Sequence, residues 1–348
     1  MSANLRVVQW ATGNIGRKAL RGIIEHPTLT LAGLHVYDPD KVGQDAGELC
    51  GLDAVGVPAT GRIEDVLAVG ADCVLYMPRV FDADDVCRLL ESGANVVTTC
   101  GQFHHPPSID PALSARVEDA CAAGGTSIHS TGSSPGFITE AVPLVLTSIQ
   151  RRLDKLVIDE YADLSKRASP ELLFDLMGFG RELAPFQDFR AEHLRSSFGP
   201  SLRLVADAVG LPLDDVTASG ELAAALRDTD IAAGTLRAGS VAAQQITISG
   251  VRDGHELVTF RATWYCTTDL EPAWELRDTG WRISVQGDAP LDVELRMPIP
   301  LGQMAETTPG YTANRAVNLV AAVCAAAPGI RSTLDLPHAL ATLDPARA

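Results

Sequence analysis

The sequence is short of positive charge. Its 28 lysines and arginines face 44 aspartates and glutamates, a formal net charge of −16 at pH 7. Nucleic acid and anionic membrane surfaces both select basic patches, so neither is an expected partner. A phosphate pocket is local, so the balance leaves an anionic cofactor open. No apolar run approaches the roughly 20 residues of a membrane span. Residues 1–6 lead directly into a strand pattern, with no room for a signal peptide, and a cytoplasmic location is expected. The cysteines, at 50, 73, 87, 100, 121, 266 and 324, show no CxxC and no paired Cys/His spacing. That argues against a disulfide framework and against a metal site. There is no internal repeat. What remains is 348 residues, 46% hydrophobic and 21% charged, enough for two folded domains.

The most informative stretch is Val7–Leu20. An apolar strand passes through a tight glycine turn into a helix. Ala11-x-Gly13-x-x-Gly16 is the dinucleotide fingerprint with alanine in its first place. Thr12, Gly13, Asn14, Ile15 and Gly16 are therefore candidate cofactor residues. Gly13 admits a pyrophosphate, Gly16 lets the helix approach the strand, and the helix N-terminus faces the phosphates. The next strand, 29–36, ends at Asp38, about 20 residues on, where an acid binds the adenine ribose. Lys41 and Arg17 are close enough to neutralise a 2′-phosphate instead, so the cofactor reads as NAD or NADP. A plain solvated turn at Asp38-Pro39-Asp40 is the alternative.

Strands and helices then alternate to Ser130, which predicts a parallel sheet with right-handed crossovers. Ligands of such sheets lie beyond the carboxyl ends of the strands. The loops at 11–16, 76–79, 99–105 and 131–137 line that edge. They contribute Met77, Pro78, Arg79, Thr99, Cys100, Gly101, Ser134 and Pro135 as further cofactor candidates. From about Pro170 to Leu226 the pattern reads as helical. It then turns period-two: 244–249 and 257–264 flank Asp253-Gly254, a hairpin signal, and 281–285 and 291–297 are further strands. The apolar helix 312–323 should be buried against the first domain. Asn318 near its start is a candidate for the nicotinamide carboxamide, as is Asn314, with capping the alternative. The expected fold is an α/β Rossmann domain (1–140 plus 311–348) and a second, α+β domain (141–310) with a mostly antiparallel sheet.

Ala11–Arg17, Asp45–Leu49 and Val96–Gly101 resemble the dihydrodipicolinate reductase N-terminal family. The histidine-rich motif of those reductases is absent at 158–167. Over its full length the chain is more similar to the 2,4-diaminopentanoate dehydrogenase and native amine dehydrogenase group, through Ser134–Phe137 and Gly310–Asn318. The resemblance implies an NAD(P)H-dependent oxidoreductase that reduces a carbonyl with ammonia, or an imine, and a homodimer. Many members carry Thr-Cys-Glu-Glu after the strand equivalent to 96–99. This chain has Thr99-Cys100-Gly101-Gln102.

With that carboxylate gone, the proton donor must lie elsewhere. His104 and His105 come next on the same loop, and imidazole suits general acid work near neutrality; a surface histidine before Pro106-Pro107 is the plainer reading. Gln102 can bond a carbonyl but cannot shuttle protons. Glu160 and Tyr161, with Asp159, lie on the first strand of the second domain. Phe137, Phe174, Met177, Phe179, Trp264 and Trp274 can wall an apolar substrate pocket. The scarcity of cations at the strand ends, Arg79 apart, suggests a small, weakly polar substrate. A carbonyl reductase or alcohol dehydrogenase, and a cofactor-binding protein without catalysis, remain as alternatives.

Overall fold

The computed structural model describes residues 4–343. They divide into two compact units, one of residues up to Phe137 and from Glu306 onward, the other Ile138–Ala305. In chain order the first runs β1 (Leu5–Trp10), α1 (Asn14–Glu25), β2 (Leu29–His35), α2 (Ala46–Leu49), β3 (Ala59–Thr60), α3 (Ile63–Ala68), β4 (Cys73–Tyr76), α4 (Ala83–Glu91), β5 (Asn95–Thr98), α5 (Pro111–Gly124) and β6 (Ser127–Ser130). Then come α6 (Val142–Thr147), β7 (Leu153–Asp163), α7 (Asp188–Ala208), β8 (Asp215–Ala225), β9 (Thr229–Ile231), β10 (Gly234–Leu236), β11 (Val241–Arg252), β12 (His255–Tyr265), β13 (Leu270–Glu271), β14 (Gly280–Gly287) and β15 (Leu291–Arg296). The chain ends through α8 (Leu301–Thr307), α9 (Pro309–Cys324) and β16 (Gly329–Ile330).

The first sheet is parallel, in the order β16-β6-β5-β4-β1-β2-β3. Its order reverses between β1 and β4, so the ligand crevice of such a fold opens beyond their carboxyl ends. Helices cover both faces, which is why Val7–Trp10 of β1 and all of β4 are buried without alternation. Val7, Cys73, Leu75 and Val97 pack with Ala19 and Ile23 of α1 and with Ala313, Ala316, Val317 and Val320 of α9. Val8, Trp10, Val74, Tyr76 and Val96 pack on the opposite side with Val86, Leu89, Leu90, Val117 and Cys121. The late helix α9 is thus part of the first unit's core. Asp82 and Asp110 cap α4 and α5 by accepting two backbone N–H bonds each, and left-handed Gly125 ends α5.

The main sheet of the second unit is ordered β13-β8-β11-β12-β7-β14-β15. It is antiparallel except where β12 runs beside β7. Asp253 and Gly254, both at positive φ (50° and 77°), make the tight turn of the β11–β12 hairpin. α7 packs on this sheet, with the Phe198 ring stacked on Phe260 at 4.1 Å.

The helical reading of 170–226 is corrected. Glu171–Leu176 is one wide helical turn, α7 covers 188–208, and 215–225 is a strand. Gly210, left-handed at φ 74°, and Pro212 stop the helix. Alanines 223–225 are good helix formers, yet they pair with β11 and β13 and are all buried, and burial overrides propensity. At Gly220 of that strand an added Cβ would lie 2.4 Å from the Phe186 ring, so only glycine lets that ring lie flat there.

Candidate cofactor and substrate site

The fingerprint turn begins at Ala11, held left-handed at φ 73°. Its N–H donates to His35 O at 2.9 Å, and its carbonyl accepts from the buried Gln9 Nε2 at 3.0 Å. A Cβ on Gly16 would lie 2.2 Å from that carbonyl oxygen, so this position tolerates no side chain. Gly13 differs. Its backbone (φ −69°, ψ −171°) suits any residue, and nothing lies within 4 Å of an added Cβ. Gly13 is the N-cap of α1, yet no side chain caps this helix and its first turn carries no acid. The positive helix end is therefore open to an anion, while α4 and α5 are closed by their own aspartates.

Beside the turn, Lys41 Nζ donates to Thr12 Oγ1 at 3.3 Å. Asp38 Oδ1 accepts from Asp40 N at 3.1 Å, capping the short turn at Pro39–Lys41. The ribose candidates Asp38 and Lys41 thus flank the same loop. Beneath them Trp10 stacks on His35 at 3.8 Å and donates from Nε1 to Tyr37 OH at 2.8 Å. Burial pushes the His35 imidazole down to about 4, so it stays neutral. Met77 and Pro78 are buried at the end of β4 and Arg79 is exposed.

The loop after β5 is tied down from both sides. Thr98 Oγ1 donates to Tyr76 O at 2.8 Å and accepts from Cys100 N at 3.0 Å. Ser130 Oγ donates to Cys100 O at 2.7 Å and accepts from Phe103 N at 3.0 Å. Burial raises the Cys100 thiol, which keeps it protonated and unreactive. Thr99 and Gly101 are half-buried and Gln102 is exposed. His104 and His105 are both buried, against the surface reading. His105 Nδ1 is 2.6 Å from Ser108 Oγ. His104 lies against the turn at Gly136, whose added Cβ would be 3.7 Å from its Cε1.

That second glycine turn is held by α9. Thr312 Oγ1 accepts from Ser133 N at 3.1 Å and shares a 2.8 Å bond with Ser133 Oγ. Arg315 Nε donates to Thr131 Oγ1 at 3.1 Å, and its guanidinium lies over the Phe137 ring at 5.8 Å. Ser134 Oγ is buried with no hydrogen-bond partner among the described residues, and Pro135 comes next. Asn318 is a correction. With Asn314 it lines a separate cavity of about 370 Å³ against Gly22, Glu25 and His26, at the opposite end of α1 from Gly13. Thr312 and Arg315, three apart, share the face of α9 that meets the turn; Asn314 and Asn318, four apart, share another.

In the second unit Glu160 accepts from Trp281 Nε1 at 2.9 Å. Tyr161, the next residue of β7, must point to the other face of the sheet. Of these two separate candidates, therefore, only one can face any one site. Asp159 shares the tyrosine's face and pairs with Arg261 at 2.7 Å. Phe174, Met177, Trp264 and Trp274 gather in one apolar cluster, in which Phe179 is fully buried core. Phe137 belongs to the first unit instead. Among the described residues no group of His, Cys, Asp or Glu is placed to hold a metal ion, and no helix is long and apolar enough to cross a membrane.

This is a nucleotide cradle without its own cap, beside a loop with two buried histidines. Residues 138–348 match the model of the 2,4-diaminopentanoate dehydrogenase C-terminal domain family. The chain belongs to this family. It is 29% identical to an amine dehydrogenase of Streptomyces virginiae, over 96% of each chain. A 2,4-diaminopentanoate dehydrogenase of Acetoanaerobium sticklandii is 23% identical, over 80% of this chain and 77% of that one. The solved structure of an amine dehydrogenase from Mycobacterium smegmatis superposes with a TM-score of 0.76 at 19% identity, covering 98% of both chains, which shows a shared fold.

Proposed function

We propose that this chain is an NAD(P)-dependent oxidoreductase of the amine-dehydrogenase type. A carbonyl compound, ammonia, a proton and the reduced cofactor give an amine, water and the oxidised cofactor. The observation that carries this reading is the turn at 11–16: Gly16 is required by the backbone, and Gly13 is required by nothing inside the protein. The cofactor supplies the hydride. The open N-terminus of α1 takes the pyrophosphate, and Asp38 and Lys41 take the ribose. The backbone at Met77, Pro78 and Thr99–Gly101 and the turn at Ser134-Pro135 border the nicotinamide end. A loop histidine, His104 or His105, exchanges the proton, since Gln102 has no proton to exchange.

One observation favours a second reading. The loop 99–105 carries no carboxylate to handle ammonia, which suits a carbonyl reductase. Loss of NAD(P)H absorbance over a panel of ketones and aldehydes, with and without ammonium, separates the two. Turnover that needs ammonium supports the amine reading, and equal turnover without it selects the reductase. Tight cofactor binding with no turnover on any member of the panel defeats both. A homodimer in the cytoplasm is proposed alongside. The free state of the cysteines suits a reducing compartment, and light scattering tests the dimer.

A further inference from the structure

Two apolar side chains beside the fingerprint turn are open to solvent: Tyr37, 58% exposed, and Val80, 74% exposed. Tyr37 follows β2 and Val80 follows β4, and the strand order β4-β1-β2 puts them on either side of the turn that follows β1. Tyr37 differs from Val80 in being exposed and fixed at once. Its hydroxyl accepts from Trp10 Nε1 at 2.8 Å, and its ring meets the His35 ring edge to face at 5.2 Å. Trp10 is itself buried, stacked on His35 and tilted against Tyr76 at 5.5 Å. The Tyr76 hydroxyl in turn accepts from Asp82 N, at the N-cap of α4, at 3.2 Å. The backbone after Tyr37 is set too, by the Asp38 cap of the turn at Pro39–Lys41. A ring held this way has given up rotamer freedom on folding while more than half of its residue stays in water. A flat partner laid on it would bury that area at little further entropic cost.

We propose that Tyr37 is the platform on which the adenine of the cofactor stacks. The proposal rests on the cofactor reading of the 11–16 turn. The sheet order decides which half of the dinucleotide meets the ring. The loops that border the nicotinamide end follow β4, β5 and β6, all on one side of β1. Tyr37 follows β2, on the other side, and stands next to the ribose candidate Asp38. With the pyrophosphate at the N-terminus of α1, the adenosine half falls on the β2 side. Adenine is flat and uncharged, and it presents a π-face whatever its hydrogen-bonding edge meets, so a stack asks for no donor or acceptor from the protein ring. That suits a tyrosine whose single polar atom is already engaged by Trp10. The indole bond and the His35 contact hold the ring in place before the base arrives, so little ordering remains to be done on binding.

The test is isothermal titration of the full chain with ADP-ribose, together with fluorescence titration with NADH, NADPH and reduced nicotinamide mononucleotide, which lacks the adenylate. Tyr37→Ala should weaken the three adenine ligands by about tenfold, the low end of what losing one base–aromatic stack costs, and leave the mononucleotide within about twofold. Tyr37→Phe keeps the ring and loses only the bond to Trp10, so it should hold the adenine ligands within about threefold of wild type. Tyr37→Ile, which keeps bulk without a π-face, takes the place of the alanine variant if that one does not fold, and should lose as much. The platform is overturned if Tyr37→Ala binds ADP-ribose as the wild type does, if Tyr37→Phe loses as much as Tyr37→Ala, or if the mononucleotide weakens in step with the dinucleotides. Should the wild type bind none of the adenine ligands, the cofactor reading of the turn falls and the platform with it. Should it bind them while Tyr37→Ala changes nothing, the platform alone falls.

Discussion

Gly13→Asp should make the protein more stable and unable to hold its cofactor. Within the chain α1 has no N-cap side chain and no acid in its first turn. The introduced aspartate would supply both. A capping aspartate in place of glycine gains a few tenths of a kcal/mol, and its charge at the helix end about 0.3–1 more. The space is there, because nothing lies within 4 Å of the new Cβ. A gain of ~0.5–1 kcal/mol raises the melting temperature by about 1 °C in a chain of this size. The same carboxylate would repel the pyrophosphate. At a separation of about 4 Å and an effective dielectric constant of about 20 that repulsion is about 4 kcal/mol, or about a thousandfold in affinity. Differential scanning fluorimetry and NADPH fluorescence titration read the two effects separately. Gly16→Ala is the control. It must push back the Ala11 carbonyl from 2.2 Å and should cost about 1–3 kcal/mol. NADPH affinity of Gly13→Asp within about threefold of wild type, or a lowered melting temperature, would refute the assignment of this helix end to the phosphates.

His35, buried and pushed down to about 4 from 6.5, binds its proton more weakly folded than unfolded. Its neutral form therefore stabilises the fold above pH 6.5, and that contribution is lost as the pH falls through the window toward 4. His35→Phe, which keeps the stack on Trp10, should flatten the change in urea midpoint between about pH 7 and about pH 5; an unchanged slope rejects the assignment. Ser201 Oγ donates to the fully buried Glu140 at 2.5 Å, so Ser201→Ala should lower unfolding stability by about 1–3 kcal/mol in urea titrations. Arg315→Met removes the bond to Thr131 Oγ1. It should cost about 1 kcal/mol and raise the KM for NAD(P)H more than it lowers kcat, and a change confined to kcat would argue against a role in shaping the second glycine turn.

The features legible in the sequence are those whose causes are local. A strand, a glycine turn and a helix need only neighbouring residues, so Val7–Leu20 reads directly. The hairpin at Asp253-Gly254 is equally local. The apolar side of α9 is readable from its spacing, and it does bury into the first core. Which polar face of α9 meets the glycine turn is not readable, because two faces carry polar residues and only packing on α1 chooses between them. The strand 215–225 is hidden by its alanines, whose preference is overridden by a ladder partner some 20 residues on. Ser130 leaves no local signal, because it holds the loop after β5 through bonds to Cys100 and Phe103, far back along the chain.

The loop 99–105 joins the legible features to the chemistry. Having Gly101-Gln102 in place of glutamates does not leave the loop slack, since Thr98, Ser130 and the core residue Phe103 fix its backbone. A loop fixed this firmly also positions the side chain directly after Phe103. That side chain is His104, buried against the turn at Gly136. Cys100 is protonated and Gln102 is inert to proton exchange, so within this loop acid–base work falls to histidine. On the proposed reading, the chain thus shifts the proton at this strand end from a carboxylate to an imidazole.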